Sequence, residues 1–244
     1  MTIWHEEAGA GEPLVLLHSG VVDSRLWDPQ WQALAERFRV IRVDYRGFGR
    51  TPFQADEPYS DCGDVAAVLA ELGVAKATFV ASSYGCRVAL QLAQSGFAER
   101  LVLLNPDSDL PPTPDLEAFT TEEERLIELG DLQAASELNA RTWLGPHATP
   151  DAHERVVEMQ RHAFTVQLAA DPEPSQFSPD IDLTSIQAPA LVVVGAHDLL
   201  WARQSARHLA EHLPHAELVE LDWAGHLPNL ERPEEIQALL LDYL

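Results

Sequence analysis

The chain has 244 residues, 46% of them hydrophobic and 23% charged, which is enough apolar material for one sizeable core and argues against disorder. Its formal charge of −23 repels phosphate backbones and anionic lipid, so neither nucleic acid nor a membrane is the expected partner. Two cysteines, Cys62 and Cys86, cannot build a disulfide framework. The N-terminal MTIWHEEAGAGEPLVLLH lacks a basic region and a long apolar one, no stretch approaches a membrane span, and the expected location is cytoplasmic.

In chain order, Ile3 to Glu7 reads as a short strand closed by Gly9, Gly11 and Pro13. Leu14 to Leu17 is an unbroken apolar run, the mark of a strand buried on both faces. A helix is expected from Asp23 to Arg37, a strand over Val40 to Val43, and a helix starting at Asp61 or Asp64 that Gly73 stops. Strand Ala77 to Ala81, helix Arg87 to Gln94 and strand Leu101 to Leu104 follow, the last ended by Asn105-Pro106. Pro111, Pro112 and Pro114 then form a linker into helical segments at 115–128, 131–143 and 151–169. Strand Leu191 to Val194, helix 201–212, strand Ala216 to Leu221 and a helix after Pro233 complete the chain. Alternating strand and helix predicts an α/β fold, a mostly parallel sheet with helices on both faces. The helix-only block reads as an insertion over one edge, giving a core of 1–110 and 181–244 and a helical cap of 111–180.

In such a sheet reactive groups collect where strands end and helices begin, which directs attention to VASSYGCRVAL, Val80 to Leu90. A nucleophile on a very sharp strand-to-helix turn needs small residues two before and two after it. Ser83 has Ala81 and Gly85 and passes; Ser82 has Val80 and Tyr84 and fails. Ser82 is left as a neighbour that bonds backbone in the turn. A serine is a poor nucleophile without a base held by a third group. Gly195-Ala196-His197-Asp198 puts an acid beyond one strand end, and Asp222-Trp223-Ala224-Gly225-His226 puts a histidine beyond the next. The order Ser, Asp, His is the one this fold requires. Leu16-Leu17-His18-Ser19-Gly20 ends a buried strand, so backbone N–H groups of Tyr84 and of Gly20, with Ser19 as alternate, are the expected oxyanion donors.

With LLHSG at 16–20, Asp44-Tyr45-Arg46-Gly47-Phe48-Gly49, ASSYG at 81–85, GAHD at 195–198 and GHLPNLERPEE at 225–235, the chain resembles the α/β-hydrolase superfamily over nearly its whole length. It looks most like small single-domain esterases and lactonases with a helical cap. The resemblance implies Ser83 as nucleophile, His226 as base and Asp198 as the orienting acid; the mechanism expected of these groups needs no metal and no organic cofactor. Two positions depart from the family pattern: Ser19 stands where a glycine usually follows the histidine, and Ala81 replaces the first elbow glycine.

The remaining candidates carry plainer expectations. Asp44 and Arg46 tie down a loop as an internal ion pair, and His18 is a packed loop histidine. Asp107 follows a strand end and is the rival acid to Asp198. His208-Leu209-Ala210-Glu211-His212 matches an H-x-x-E-H zinc pattern but falls on a helix with no third ligand fixed by spacing, and reads as surface histidines. Trp143, Phe119, Phe164 and Phe177 in the cap, and Arg25 behind the oxyanion loop, are the substrate-pocket candidates. The expected activity is hydrolysis of a small ester or lactone through an acyl-enzyme. The alternatives are carbon–carbon bond hydrolysis or perhydrolysis on the same residues, or a receptor-like ligand-binding member. The expected partner is a small-molecule substrate, and oligomeric state is not legible.

Overall fold

The computed structural model describes residues 2–244. Seven strands form one sheet: β1 (His5–Ala8), β2 (Pro13–Leu17), β3 (Arg39–Val43), β4 (Ala77–Ser82), β5 (Ala98–Leu104), β6 (Ala190–Gly195) and β7 (Ala216–Leu221). Their spatial order is β1-β3-β2-β4-β5-β6-β7. Only β1 is antiparallel, pairing His5 with Val43; the other pairings are parallel. The chain order reverses direction next to β2, so β2 and β4 flank the crevice at which α/β sheets place their ligands. Leu14 to Leu17, Phe79 to Ala81 and Val192 to Val194 are fully buried, as expected of central strands covered on both faces.

The helices are α1 (Asp28–Ala35), α2 (Asp61–Glu71), α3 (Tyr84–Gln94), α4 (Pro114–Glu128), α5 (Leu132–Trp143), α6 (Pro150–Leu168), α7 (Leu200–His212), the single turn α8 (Pro228–Glu231) and α9 (Pro233–Tyr243). Two apolar clusters lie on opposite faces of the sheet. One joins Val15, Ile41 and Phe79 to Val65, Leu69, Val88 and Leu209; the other joins Leu16, Val80 and Val193 to Trp27, Leu34, Ile236 and Leu240.

The predicted helix Asp23 to Arg37 is two elements, a 3-10 turn at Ser24–Trp27 and then α1. Pro29 is the reason: with no N–H to donate it sits in the first turn of a new helix. The first strand lies two residues later than expected at its start, set by its antiparallel register with β3, and α3 starts at Tyr84 rather than Arg87. Helices α4, α5 and α6 are inserted between β5 and β6 and lie over the carboxyl ends of the strands. Gln167 Nε2 on α6 donates to Gly47 O at 3.4 Å, and Arg155 reaches Asp28 at 2.8 Å. Both cysteines are free, and among the described residues no helix is long and apolar enough to cross a membrane.

Candidate active site

Ser83 stands between β4 and α3 at φ 53°, ψ −121°, a conformation that costs a non-glycine residue of order 1–3 kcal/mol and is characteristic of functional turns. The turn is held by Ser83 N–H donating to Leu104 O (2.9 Å) and by Cys86 N–H donating to Ser83 O (2.8 Å). The small-residue requirement is visible at Gly85, where a Cβ would lie 2.7 Å from the carbonyl oxygens of both Leu17 and His18. Ser82 corrects the expectation for it: its hydroxyl is buried and has no hydrogen-bond partner.

His226 Nδ1 donates to Asp198 Oδ2 at 2.6 Å, and both residues are buried. A carboxylate only accepts, so this bond puts the proton on Nδ1 and leaves Nε2 free to take one. Asp107 faces Arg87 Nε instead, at 3.3 Å. Burial pushes its carboxyl up to about 6 against the pull of Arg87. A chain of adjoining bonds links the serine to the histidine: Ser83 N–H meets Leu104 O, and the next residue, Asn105, donates to His226 O at 2.7 Å. The Ser83 hydroxyl itself makes no hydrogen bond to a described residue; such bonds often close only when substrate is bound.

Gly20 lies beside the start of α3, with a Cβ built on it 3.6 Å from Tyr84 Cβ, so the two backbones that carry the expected N–H donors are neighbours. Ser19 is fully buried and its hydroxyl accepts from Val21 N–H at 3.4 Å. His18 is a packed histidine: Nε2 accepts from Tyr45 N–H at 3.1 Å, so Nδ1 donates to Ser19 O at 2.8 Å, and burial holds its pKa below the ordinary value.

The pocket candidates separate. Trp143 covers the imidazole of His226 at 4.5 Å between centroids, and Phe119 meets Trp143 edge-on at 4.9 Å. Phe164 is buried on α6, while Phe177 is 53% exposed. Arg25 is taken up by Asp23 (2.8 Å) and Glu158 (2.7 Å). It lines a cleft of about 530 Å³ between the Ser24–Trp27 turn, loop 44–50 and α6, which neither Ser83 nor His226 lines. The Asp44–Arg46 pair is corrected: Arg46 binds Asp64 at 2.6 Å, and Asp44 accepts the N–H groups of Ser24 and Arg50 at 2.8 and 2.9 Å. His208 and His212 stack on each other at 4.1 Å, and no group of three potential metal ligands occurs among the described residues.

Two supports of the site went unread in the sequence. Asn105 is one; the Asn-Pro that ended a strand also carried an amide at a strand end. The other is Glu231, six residues beyond Gly225, whose carboxylate accepts from Gly225 N–H at 3.0 and 3.1 Å. A hydroxyl on a strained turn, an imidazole oriented by a carboxylate and adjacent backbone N–H groups form an arrangement suited to acyl transfer.

Comparison with known proteins identifies the family and the fold. Residues 14–239 match the model of the alpha/beta hydrolase family. The chain is 30% identical to a protein of Caulobacter sp. strain K31 named "Putative carbamate hydrolase RutD", over 99% of this chain and 95% of that one. It is 31% identical to a protein of the same name from Agrobacterium fabrum strain C58, over 98% and 96%. Among solved structures it resembles Est816, described as an N-acyl homoserine lactone degrading enzyme, with a TM-score of 0.80 at 28% identity over 99% and 96% of the two chains. It also resembles an enol-lactonase from Burkholderia xenovorans LB400, with a TM-score of 0.77 at 26% identity over 99% and 95%. The chain belongs to the alpha/beta hydrolase family and is a hydrolase of that fold.

Proposed function

We propose that this hydrolase cleaves a small ester- or lactone-type substrate through an acyl-enzyme on Ser83. The Ser83 hydroxyl adds to the carbonyl carbon as His226 Nε2 takes its proton, and the N–H groups of Tyr84 and Gly20 hold the oxygen that becomes negative. His226 then protonates the leaving alkoxide, and water, deprotonated by the same nitrogen, releases the acid and restores the serine. Asp198 keeps the imidazole in the required tautomer and steadies its charged form. The observation that carries this reading is the backbone of Ser83 at φ 53°, maintained against strain at the end of β4, in a chain that also holds a buried His226–Asp198 pair. Trp143, tilted against the imidazole, and Phe119, edge-on to Trp143, offer an apolar wall for a short acyl or alcohol group.

The relatives named for carbamate hydrolysis favour a second substrate class, since a carbamate presents the same kind of carbonyl to the same nucleophile. A panel of short esters, lactones and carbamates, with fluorophosphonate labelling, tests both. Ser83→Ala is expected to abolish labelling and to lower turnover by roughly 10⁴-fold with an unchanged unfolding midpoint. A Ser83→Ala protein that turns over the preferred ester at the native rate refutes the acyl-enzyme.

A further inference from the structure

Asn105 is fully buried at the end of β5 and, with Ser83, is one of two non-glycine residues at positive φ among those described, at 45°. Its side chain bonds only backbone, and only in two other strand-end loops. Oδ1 accepts from Gly195 N–H at 2.7 Å, and Nδ2 donates to His226 O at 2.7 Å and to Gly225 O at 3.2 Å. The amide orientation follows from these partners, because an N–H must meet the oxygen and the two carbonyls must meet the NH₂. Gly195 opens the loop carrying Asp198, and Gly225 precedes His226. One planar amide therefore ties the acid loop to the histidine loop.

Those loops are already pressed together. A Cβ on Gly195 would lie 2.2 Å from Gly225 O, and His197 N–H donates to Ala224 O at 2.9 Å. The peptide of His226 is held from two sides: its carbonyl by Asn105 from the sheet, its N–H by Trp143 O at 2.8 Å from the end of α5. With both polar groups of the histidine backbone taken, little freedom remains to swing the ring.

We propose that Asn105 is a positioning residue of the hydrolase, fixing the backbone of His226 against the acid loop so that the imidazole stands where Ser83 needs it. The inference rests on the reading of His226 as the base. No other side chain meets all the demands here. Aspartate loses both donors, glutamine is one methylene too long, and a β-branched residue resists positive φ, which asparagine tolerates. A misplacement of about 1 Å at a reacting group costs roughly 10²-fold in rate, which sets the expected effect.

The test is Asn105→Gly, which retains the backbone freedom and deletes the amide, beside Asn105→Asp, which retains the acceptor for Gly195 N–H and turns the donor toward His226 O into an acceptor. Steady-state kinetics on the preferred ester should show kcat lowered roughly 10²-fold with KM within a factor of a few. Fluorophosphonate labelling of Ser83 should slow in step yet still reach completion. In a His226→Ala background, where turnover is residual, Asn105→Gly should change nothing further; this cycle separates positioning from a general loss of structure. If neither variant yields folded protein, the same cycle is run with Asn105→Ser. Native kcat in Asn105→Gly, or an equal loss with and without His226, overturns the proposal. Native turnover in Ser83→Ala and His226→Ala would instead overturn the acyl-enzyme reading beneath it, so the two failures are distinct.

Discussion

Replacing Asp61 by asparagine should stabilise this protein at alkaline pH and progressively less as the solution is acidified. Asp61 opens α2 and is 5% exposed; its Oδ2 accepts from Tyr84 Oη at 2.6 Å and from Gln176 Nε2 at 2.7 Å, while Oδ1 is buried with no partner. Burial is the dominant influence and lifts the carboxyl from 3.8 to about 6, against the opposing Tyr84 bond. Because the folded value lies above the unfolded one, the folded state binds the proton more tightly. The resulting stability is complete below 3.8 and is lost as pH rises through about 6. Above that, holding the carboxylate charged costs ~3 kcal/mol. Asparagine keeps an oxygen for both donors and carries no charge, although its NH₂ inherits the unpartnered position, a penalty of ~1–3 kcal/mol that does not depend on pH. The pH-dependent part is therefore the clean observable. Between pH 5 and pH 8 the stability of Asp61→Asn relative to the parent should rise by ~1.5 kcal/mol. That is a widening of the Tm difference by roughly 3–6 °C for a chain of this size. Thermal or urea unfolding of both proteins at the two pH values measures it. Parallel stability curves, with a Tm difference constant over the range, would refute the reasoning.

Two further substitutions probe the supports of His226. Asp198→Ala removes the acceptor of the 2.6 Å bond from Nδ1 and frees the other tautomer, so turnover should fall by roughly 10⁴-fold, read as kcat on the preferred ester. In Gly145→Ala the new methyl would lie 2.3 Å from Glu231 Oε2 and 2.4 Å from Gly225 N, so the segment after α5 must lift off the histidine loop. A fall in kcat of roughly 10–100-fold, with the fold retained by circular dichroism, is expected. Native kcat would show that the loop can yield without disturbing the imidazole.

What was legible in the sequence is what local geometry dictates. A sharp turn between strand and helix forbids side chains on both flanks, and Ala81 and Gly85 around Ser83 report that directly. Buried strands read as unbroken apolar runs at 14–17 and 191–194, and the residues beyond such runs fall at the carboxyl edge whatever the topology. Partner choice by long polar side chains was not legible, since it depends on which loops the sheet order brings together. Arg46 stands two residues from Asp44 in sequence, yet Asp44 is consumed by the N–H groups of Ser24 and Arg50 and the guanidinium turns to Asp64. Arg25, close in sequence to the loop at 18–20, is drawn away by Asp23 and Glu158. Asn105 meets partners 90 and 121 residues away, a relationship no local pattern encodes.

The end of α5 and the loop that carries His226 are joined at the level of single atoms. Trp143 contributes its ring to one face of the His226 imidazole and its carbonyl to the His226 N–H. Two residues on, Gly145 packs backbone to backbone against Gly225, whose N–H is taken by Glu231. On the other side α6 is joined to the body by polar links such as Arg155–Asp28, Arg25–Glu158 and His162–Gly49 O, and by Val156, Val157 and Met159, buried in the apolar cluster that holds Leu26 and Trp27. Exposed pairs of this kind contribute little each and weaken with salt, so the buried apolar contacts of α6 carry that side, while the α5 junction is made of backbone. The two ends of the insertion are thus held by different kinds of contact. It is the α5 end that bonds the backbone of His226, through the Trp143 carbonyl. A substitution at Trp143 is therefore expected to disturb His226 itself, through the ring that lies against the imidazole and the carbonyl that accepts its N–H, and one at Phe119 to act through Trp143.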